Sequence, residues 1–290
     1  MLAPAKINLF LHVGPAKDNG RHDLDSLVMF AGPEASDRIE ARKAERMRFA
    51  LEGSHADSEL ATPDNLVIRA MAACQERGLR VPPLAITLHK ELPIAAGLGG
   101  GSADAGAMLR ILVRLGTLTP PVAMTIAASL GGDVPVAFLS RPSMMRGEGE
   151  QVKRVHGLPD LPALLVNPGM PCPTGAVFRL YDETGAAGPL ELSELPAGLD
   201  AAGLVSWLRE NTRNDLQASS TQLVPAVGKV LDTLEAAPGC GLARLSGSGA
   251  SCFALFEDRH ALRDASEQIR EAHPDWWVAP TLLSGMAETS

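Results

Sequence analysis

Apolar and polar residues alternate near the start of the chain, and the alternation predicts a β-strand over residues 6–13. The odd positions are aliphatic, whereas Lys6, Asn8 and His12 occupy even positions. Because successive side chains of a strand point to opposite faces, one face is apolar and the other is mostly polar. A polar face usually contacts solvent, but Lys6 and Asn8 are equally consistent with a face directed into a cleft.

Further along, helical spacing and strand-like alternation are interspersed, which predicts an α+β fold. The predicted helices are residues 65–77, 102–115, 119–130, 201–210 and 223–236. The predicted strands are residues 84–92, 163–166, 243–245 and 251–256. Residues 38–51 are consistent with either two edge strands or a surface helix. We expect Asp64 to cap the first helix and Gly78 to end it.

A proline- and glycine-rich stretch, residues 156–174, is the best candidate for a domain junction. We therefore expect an N-terminal domain over residues 1–155 and a C-terminal domain over residues 156–290. The second domain contains a polar, proline-spaced segment at residues 191–200. With 290 residues, of which 46% are hydrophobic, the chain is long enough to bury two cores.

The net charge argues against a nucleic-acid-binding protein. Lys and Arg number 26 against 34 Asp and Glu, so the chain carries a charge of −8 at pH 7 and offers no broad basic surface. An anionic ligand must therefore be attracted by a few placed groups. The four cysteines form no C-x-x-C pair, which favours reduced, mostly buried thiols. No signal peptide or membrane span is apparent, so we expect a cytoplasmic protein.

The most distinctive segment is the glycine cluster ELPIAAGLGGGSADA at residues 91–105. A glycine cluster that opens a helix usually brings the backbone close to a phosphate. The first N–H groups of the helix would add donors there, and Ser102 is placed to reach Mg²⁺ or a phosphate oxygen. The lysine of a Walker A loop is absent, so positive charge must come from elsewhere. Taken alone, the cluster is equally consistent with a tight turn that binds nothing.

Two other segments are candidates for chemistry. Asp133 follows two glycines and precedes Val-Pro-Val, so we expect a fixed, partly buried carboxylate that has either a partner or a chemical role. The more ordinary alternative is an Asp that accepts backbone N–H groups in a turn. A second glycine turn, residues 246–251, lies between two strand-like segments and is consistent with an ordinary hairpin.

Three ordered motifs resemble those of the GHMP kinases, a family named for galactokinase, homoserine kinase, mevalonate kinase and phosphomevalonate kinase. They are PAKINL at residues 4–9, the glycine loop at residues 93–104, and the turn at residues 245–252. The resemblance implies an ATP-dependent kinase that acts on an alcohol. It also implies a ribosomal protein S5 domain 2-like N-terminal domain and a ferredoxin-like C-terminal domain.

Within this family, several shorter motifs most resemble members that phosphorylate the 2-hydroxyl of a cytidine-diphosphate-linked methylerythritol, in the non-mevalonate isoprenoid pathway. The motifs are Gly20-x-His22, Asp64-Asn65-Leu66, LGGDVPVAFL at residues 130–139, and Asn214-Asp215. The resemblance implies that Asp133 is the general base and that Lys6 orients the hydroxyl and stabilises negative charge. ATP and Mg²⁺ are the implied cofactors, with Ser102 as a metal ligand. A small cytidylyl molecule is the implied partner of a monomer or homodimer that binds neither nucleic acid nor a membrane.

The resemblance also implies two sets of binding residues. Those for ATP and its phosphates are Lys90, Pro93, Ala95, Ala96, Gly97, Leu98, Gly99, Gly100, Gly101, Ser102 and Ala103. Those for the acceptor substrate are Asn8, His22, Asp133, Thr174, Phe178, Gly247 and Ser248. His22 would hydrogen-bond the cytosine, and Phe178, with Tyr181 as its rival, would stack on the ring.

The sequence departs from the family pattern in two places. Arg21 stands where related enzymes commonly have a tyrosine, although a guanidinium plane can also stack on a flat ring. Residues 142–146 (PSMMR) replace a shorter run of smaller residues. A GHMP kinase acting on homoserine or a mevalonate derivative is one alternative, and a non-catalytic GHMP-fold binding protein is another. A Rossmann oxidoreductase is disfavoured, because Ser102 stands where its last motif glycine would be.

Overall fold

The computed structural model describes residues 1–57, 60–185, 188–190 and 192–285. Strands and helices are interspersed along the chain, which confirms the predicted α+β class. The strands are β1 (Leu2–Pro4), β2 (Lys6–Asn8), β3 (His12–Ala16), β4 (His22–Phe30), β5 (Ser36–Lys43), β6 (Arg48–Glu52), β7 (Leu84–His89), β8 (Ser143–Gly147), β9 (Gln151–Arg154), β10 (Leu161–Asn167), β11 (Cys240–Leu245), β12 (Cys252–Phe256) and β13 (Trp277–Leu283). The helices are α1 (Leu66–Glu76), α2 (Gly100–Arg114), α3 (Pro120–Leu130), α4 (Val134–Leu139), α5 (Thr174–Glu183), α6 (Ala201–Asn211), α7 (Gln217–Leu223), α8 (Pro225–Glu235) and α9 (Arg259–Ala272). Within the described residues, none of the helices is both long and apolar enough to cross a membrane.

Contacts group the chain into two compact units. Unit 1 comprises Met1–Ala5, Ser36–Ile94 and Gly99–Ser140. Unit 2 comprises Lys6–Ala35, Ala95–Leu98 and Arg141–Ser290. Both units are assembled from separated segments, so their limits differ from the single boundary expected after residue 155, which stays a prediction.

Unit 1 contains a four-stranded sheet in the order β1-β5-β7-β6. Strands β6 and β7 run parallel, and the other neighbours run antiparallel. Residues 38–51, for which the sequence is consistent with strands or a helix, contribute to β5 and β6. These two strands pair with β7 and not with each other. Helices α1, α2 and α3 share one apolar core with this sheet.

Helix α1 begins at Leu66, and its cap is Asn65 instead of the predicted Asp64. The side-chain oxygen of Asn65 accepts a hydrogen bond from the N–H of Val67 at 2.9 Å. Asn65 has the advantage that its own Nδ2 donates to the carbonyl oxygen of Leu60, which holds the capping side chain in place. Gly78 follows the helix with a φ of +71°, as expected for the residue that ends it.

Unit 2 contains two antiparallel sheets. The first has the order β2-β4-β8-β9, with β3 also paired to β4, and the second has the order β11-β12-β10-β13. Helices α8 and α9 cover the second sheet with apolar side chains. The hairpin predicted across residues 246–251 is confirmed, because these residues join the antiparallel strands β11 and β12. In the polar segment predicted at residues 191–200, Glu191 lies outside the described residues, and residues 192–200 form neither helix nor strand.

The single strand predicted over residues 6–13 is wrong in one respect, because the chain breaks it into β2 and β3. Leu9 still donates its N–H to Leu27 of β4, at 2.8 Å, but Leu11 donates to the carbonyl oxygen of Arg213, at 2.9 Å. Both faces of β2 are buried, so Lys6 and Asn8 do not form a solvent-exposed edge.

A buried guanidinium holds this break in place. Arg244 of β11 donates from Nη1 to the carbonyl oxygen of Leu9 at 2.8 Å, and from Nη2 to the carbonyl oxygen of Thr212 at 2.8 Å. Thr212 follows the last residue of α6, where helix carbonyl groups lack partners within the helix. Burial lowers the pKa of Arg244 to about 10, so it remains a cation at neutral pH.

Helices α2 and α4 approach most closely at Gly106. A Cβ atom on Gly106 would lie 2.7 Å from both the carbonyl carbon of Ala137 and the nitrogen of Phe138. These are backbone atoms within a short helix, so they cannot move aside as a flexible side chain could. Gly106 therefore sets the distance between the helix that follows the glycine loop and the helix that follows Asp133.

We expect Gly106→Ala to lower the free energy of unfolding by about 1–3 kcal/mol, the usual cost of overpacking. The change has this sign even though alanine favours helix formation over glycine by about 1 kcal/mol. Urea unfolding followed by circular dichroism measures the difference. The matched control is Gly175→Ala in α5, where a Cβ meets no atom within 4 Å and no loss is expected. Equal stability of the Gly106→Ala variant and the wild type would contradict the prediction.

Candidate active site

The glycine loop adopts a backbone conformation that explains its composition. Gly97 and Gly99 have φ angles of +73° and +63°, in the left-handed region that favours glycine. Ala95 also has a positive φ, of +52°, which is uncommon for a residue with a side chain. The loop therefore reverses direction several times before α2 begins, and its peptide groups are presented at different angles.

The loop is hydrogen-bonded to the first of the three sequence motifs. The N–H of Lys6 in β2 donates to the carbonyl oxygen of Leu98 at 2.9 Å. Because β2 is also paired with β4, this bond ties the loop to the sheet of unit 2. Lys6 is 5% exposed, so the lysine belongs to the interior of the site and not to its solvent-exposed rim.

The loop is also hydrogen-bonded to the second glycine turn. Ser251 donates its N–H to the carbonyl oxygen of Ala96 at 3.0 Å, and the Ser246 hydroxyl donates to the carbonyl oxygen of Gly97 at 3.1 Å. A Cβ on Gly97 would lie 2.3 Å from the Ser246 carbonyl oxygen and 2.8 Å from the Gly249 nitrogen. Only glycine permits this approach, so the three motifs recognised in the sequence meet at residues 96–98.

The other side of the loop leads into α2. Gly99 occupies the cap position and has no side chain to bond the first turn, and the first helical bond runs from the N–H of Ala103 to its carbonyl oxygen, at 2.8 Å. In this geometry the N–H groups of Gly100, Gly101 and Ser102 have no partner within the helix. Gly101 is exposed and Ser102 is half-buried, so the turn can receive an anion.

A buried charge cluster lies directly beneath this turn. The Lys90 ammonium contacts the carboxylate of Asp37 and, at 2.8 Å, Oδ2 of Asp104. The second oxygen of Asp37 accepts the N–H groups of Glu91 and Leu92, at 2.7 and 2.9 Å. All three members of the cluster are buried. Sequence reasoning missed Asp37 and the pairing of Asp104, because nothing local marks a contact between residues so far apart.

The electrostatics of the cluster are those of one cation shared by two acids. Burial raises the pKa of Asp104 to about 7, although the attraction of Lys90 opposes the shift. Burial lowers the pKa of Lys90, but the carboxylates of Asp104 and Asp37 outweigh it, and the net pKa is raised. Lys90 is therefore a cation whose charge is already neutralised. The phosphate contact predicted for it stays a prediction, and the geometry favours a structural role.

Asp133 stands at the cap position of α4 in unit 1. It is partly buried, as expected, and its carbonyl oxygen accepts the N–H of Ala137 at 3.0 Å. Pro135 follows at the second position of the helix, where no backbone donor is needed. The start of the helix therefore fixes the backbone from which the Asp133 carboxylate projects. Lys6, the other predicted catalytic residue, belongs to unit 2.

In unit 2, His22 and Phe178 lie together, as the resemblance implied. Their ring centroids are 4.9 Å apart, with an angle of 35° between the planes. Nδ1 of His22 is 2.9 Å from the carbonyl oxygen of Gly14, and since a carbonyl only accepts, this nitrogen carries a proton. Nε2 is buried without a hydrogen-bond partner among the described residues, and it lies 3.5 Å from Oδ2 of Asp182. The histidine therefore keeps one ring nitrogen available.

Tyr181, the rival aromatic residue, has a structural role. Its hydroxyl donates to the carbonyl oxygen of Val13 at 2.8 Å, and the side chain is buried. Burial, reinforced by the nearby charge of Asp215, raises the pKa of Tyr181 to about 12. Phe178 is half-buried on the same helix, so it is the aromatic ring that a ligand can reach.

Three other predicted substrate-binding residues are close neighbours. The hydroxyl oxygens of Thr174 and Ser248 are 2.8 Å apart, which links the start of α5 to the second glycine turn. The carbonyl oxygen of Gly247 accepts Nδ2 of Asn214 at 2.8 Å. The turn is therefore held from both sides. A Cβ on Gly247, whose φ is +57°, would lie 3.0 Å from the carbonyl oxygen of Gly97.

Asn8 completes this group and has one unused polar atom. Its Nδ2 donates to the hydroxyl of Ser26 at 2.8 Å, whereas its Oδ1 is buried with no hydrogen-bond partner among the described residues. A Cβ on Gly247 would lie 3.6 Å from that oxygen. An unpaired buried acceptor is costly in a native structure, so it indicates a place where a ligand donor binds.

The departures from the family pattern have local explanations. The guanidinium of Arg21, considered above as a stacking plane, donates to Glu148 at 2.9 Å. Hydrogen bonds from Asn19, Lys17 and Arg21 together lower the pKa of Glu148 to about 2. Residues 142–146 contribute to β8, and Arg146 donates from Nε to the buried carboxylate of Asp25 at 2.8 Å.

Comparison with known proteins identifies the family. The model described as "GHMP kinases N terminal domain" matches residues 65–141, and "GHMP kinases C terminal" matches residues 196–275. A Hyphomonas neptunium protein named 4-diphosphocytidyl-2-C-methyl-D-erythritol kinase is 48% identical, and the match covers 97% of this chain and 95% of that protein. A Caulobacter vibrioides protein of the same name is 44% identical, with coverage of 97% and 98%.

Solved structures agree with these matches. A crystal structure of 4-(cytidine 5'-diphospho)-2C-methyl-D-erythritol kinase is 30% identical, with a TM-score of 0.77 over 98% of this chain and 99% of that one. A homoserine kinase from Cytophaga hutchinsonii has a TM-score of 0.69 over 98% and 95% of the two chains, but at 18% identity it shows the fold alone. With both family domains matched and these relatives similar over nearly its whole length, the chain belongs to the GHMP kinase family.

Proposed function

We propose that this chain transfers the γ-phosphoryl group of ATP to the 2-hydroxyl of 4-diphosphocytidyl-2-C-methyl-D-erythritol, a step of the non-mevalonate route to isoprenoid precursors. Support for the substrate comes from relatives of that name, which are 42–48% identical over 97–98% of this chain. Support for the reaction class comes from the glycine loop, whose residues 96–98 are bonded to the strand of Lys6 and to the second glycine turn. This convergence is the observation that carries the proposal.

The phosphates of ATP would bind at the loop and the first turn of α2. There the N–H groups of residues 100–102 are free of partners within the helix, and the helix dipole favours an anion. This arrangement needs no side-chain cation on the loop itself, so the absence of a Walker lysine is no obstacle. The loop residues named above for ATP would contribute mainly through their backbone.

The residues present fit a magnesium ion that is held chiefly by phosphate oxygens. Within the described residues, no three side chains of the His, Cys, Asp and Glu types are grouped to hold a metal. Mg²⁺ in kinases commonly takes one or two protein ligands together with phosphates and water, so such a group is not required. The half-buried hydroxyl of Ser102 would be a protein ligand. The ion would neutralise charge on the transferred group.

Lys6 and Asp133 would act on the acceptor hydroxyl. Asp133 would accept the hydroxyl proton as the oxygen attacks the γ-phosphorus, and Lys6 would stabilise the negative charge that develops. Both side chains are restrained, Lys6 by burial in β2 and Asp133 by its position at the start of α4. Restraint matters because phosphoryl transfer is accelerated mainly by positioning and charge stabilisation.

The cytidine end of the substrate would bind in unit 2. The ring of Phe178 would stack on the cytosine, and the lone pair of His22 Nε2 would accept an N–H of its exocyclic amino group. Asp182 lies next to that nitrogen and is an acceptor too, so the pair matches a donor with two hydrogens. Asn8 Oδ1 would accept a hydroxyl proton of the substrate, together with the polar groups of Thr174, Gly247 and Ser248.

The first test is ADP release by the purified protein with Mg-ATP and a panel of alcohols. We expect turnover with 4-diphosphocytidyl-2-C-methyl-D-erythritol and none with homoserine, mevalonate or galactose. Asp133→Asn should lower kcat by about 10²–10⁴, the usual contribution of a general base. Its matched control is Asp232→Asn on α8, an exposed acid in unit 2, which should leave kcat unchanged.

The outcomes separate the alternatives. Turnover of another alcohol would keep the family and overturn the substrate. Binding of Mg-ATP with no turnover of any alcohol would instead favour a non-catalytic binding protein. A full kcat in the Asp133→Asn variant would remove Asp133 from the role of base.

A second prediction concerns the cytidine end. Phe178→Ala and His22→Phe should each raise the KM for the cytidylyl substrate about tenfold or more, because base–aromatic stacking contributes about 1–3 kcal/mol per base and a lost hydrogen bond about as much. The KM for ATP should stay within about twofold, since neither residue belongs to the loop. Steady-state kinetics with each substrate varied in turn measures both constants. An equal rise in the two KM values would contradict a separate cytidine site.

A further inference from the structure

The buried cluster of Lys90, Asp37 and Asp104 has a geometry that a contribution to stability does not explain. Two carboxylates and one ammonium have been removed from water, which is costly even when the charges are paired. An apolar cluster of similar volume would commonly be as stable. The arrangement also leaves Oδ1 of Asp104 buried without a partner among the described residues. The cluster is therefore better explained by what it holds in place.

Its contacts lie on both sides of the glycine loop. Asp37 binds the backbone N–H groups of Glu91 and Leu92, the residues that enter the loop. Asp104 lies in the second turn of α2, where the chain leaves the loop. Lys90 joins the two acids, and a Cβ on Gly100 would lie 3.4 Å from its Nζ. One ammonium thus connects the entry and the exit of the loop beneath the first turn of the helix.

We propose that Lys90 is a positioning residue for ATP, which acts by holding Asp37 and Asp104 together and so fixes the glycine loop at both ends. This inference rests on the proposed function, because it takes the loop to be the phosphate-binding element. It differs from the direct phosphate contact predicted from the sequence. In that alternative the ammonium itself binds ATP, and the two carboxylates only weaken its effect.

The two roles predict opposite results for a double variant. Lys90→Met leaves two buried carboxylates facing each other, so the loop ends separate, and we expect the KM for ATP to rise about tenfold or more. Adding Asp104→Asn removes that repulsion. Because the side chains at positions 104 and 37 lie close enough to hydrogen-bond, the amide introduced at position 104 can donate to Asp37. The Lys90→Met/Asp104→Asn variant should therefore recover to within about threefold of the wild-type KM for ATP.

The experiment measures KM for ATP and for the cytidylyl substrate, kcat, and the Mg-ATP affinity by titration calorimetry. The KM for the cytidylyl substrate should stay within about twofold in every variant, because the residues predicted for its cytidine end lie in unit 2. A merely structural role would lower the active fraction, and hence kcat, without raising one KM alone. Lys153→Met, which changes an exposed lysine of β9, is the matched control and should resemble the wild type.

If Lys90→Met does not fold, the comparison of Asp104→Ala with Asp104→Asn takes its place. Alanine removes the acceptor of Lys90 and should raise the KM for ATP about fivefold or more, whereas asparagine keeps an acceptor and should stay within about threefold. A double variant as impaired as Lys90→Met, or equal effects of the two Asp104 variants, would overturn the inference. Wild-type protein that binds Mg-ATP but turns over no alcohol would overturn the proposed function alone, and calorimetry would still test the loop.

Discussion

The close approach of two backbone turns at Gly97 is the constraint on which the site depends. Its Cα is packed so tightly against the second glycine turn that a Cβ would lie 2.3 Å from the Ser246 carbonyl oxygen. Around this contact, the carbonyl groups of Ala96, Gly97 and Leu98 each accept a hydrogen bond from a different residue of the surrounding chain. A loop held by its own carbonyl groups can direct N–H groups toward an anion, because each peptide group presents its two polar atoms on opposite sides.

This constraint explains how the fold manages without a lysine in the loop. In a Walker A loop, the cation follows the glycines in sequence. Here the hydrogen bond from Lys6 to Leu98 attaches the loop to a strand that carries its own buried lysine, far upstream in the sequence. Lys90 is adjacent to the loop in sequence, but two carboxylates already neutralise it. Nearness in sequence is therefore a poor guide to which cation faces the phosphate.

Periodicity predicted the helices and most strands well, because long apolar patterns report burial directly. It failed where a side chain or a distant segment decides the outcome. Asn65 replaces Asp64 as the cap of α1, and the break between β2 and β3 depends on Arg244, which no local pattern connects to Leu9. The motif residues of the site came from a family resemblance. The partners of Lys90 did not, since ion pairs between residues 37, 90 and 104 have no signature along the chain.

The candidate site separates recognition from chemistry. The groups assigned to the cytidine end, His22 and Phe178 with their neighbours, are connected to the glycine loop through the second turn, by way of the contact between Thr174 and Ser248. Changes at Phe178 can therefore alter which molecule binds while the backbone donors that hold the phosphates stay in place. Gly97 allows no such freedom, because both turns meet at its Cα. Family members that act on different alcohols would accordingly be expected to differ around the aromatic pair and to agree at this glycine.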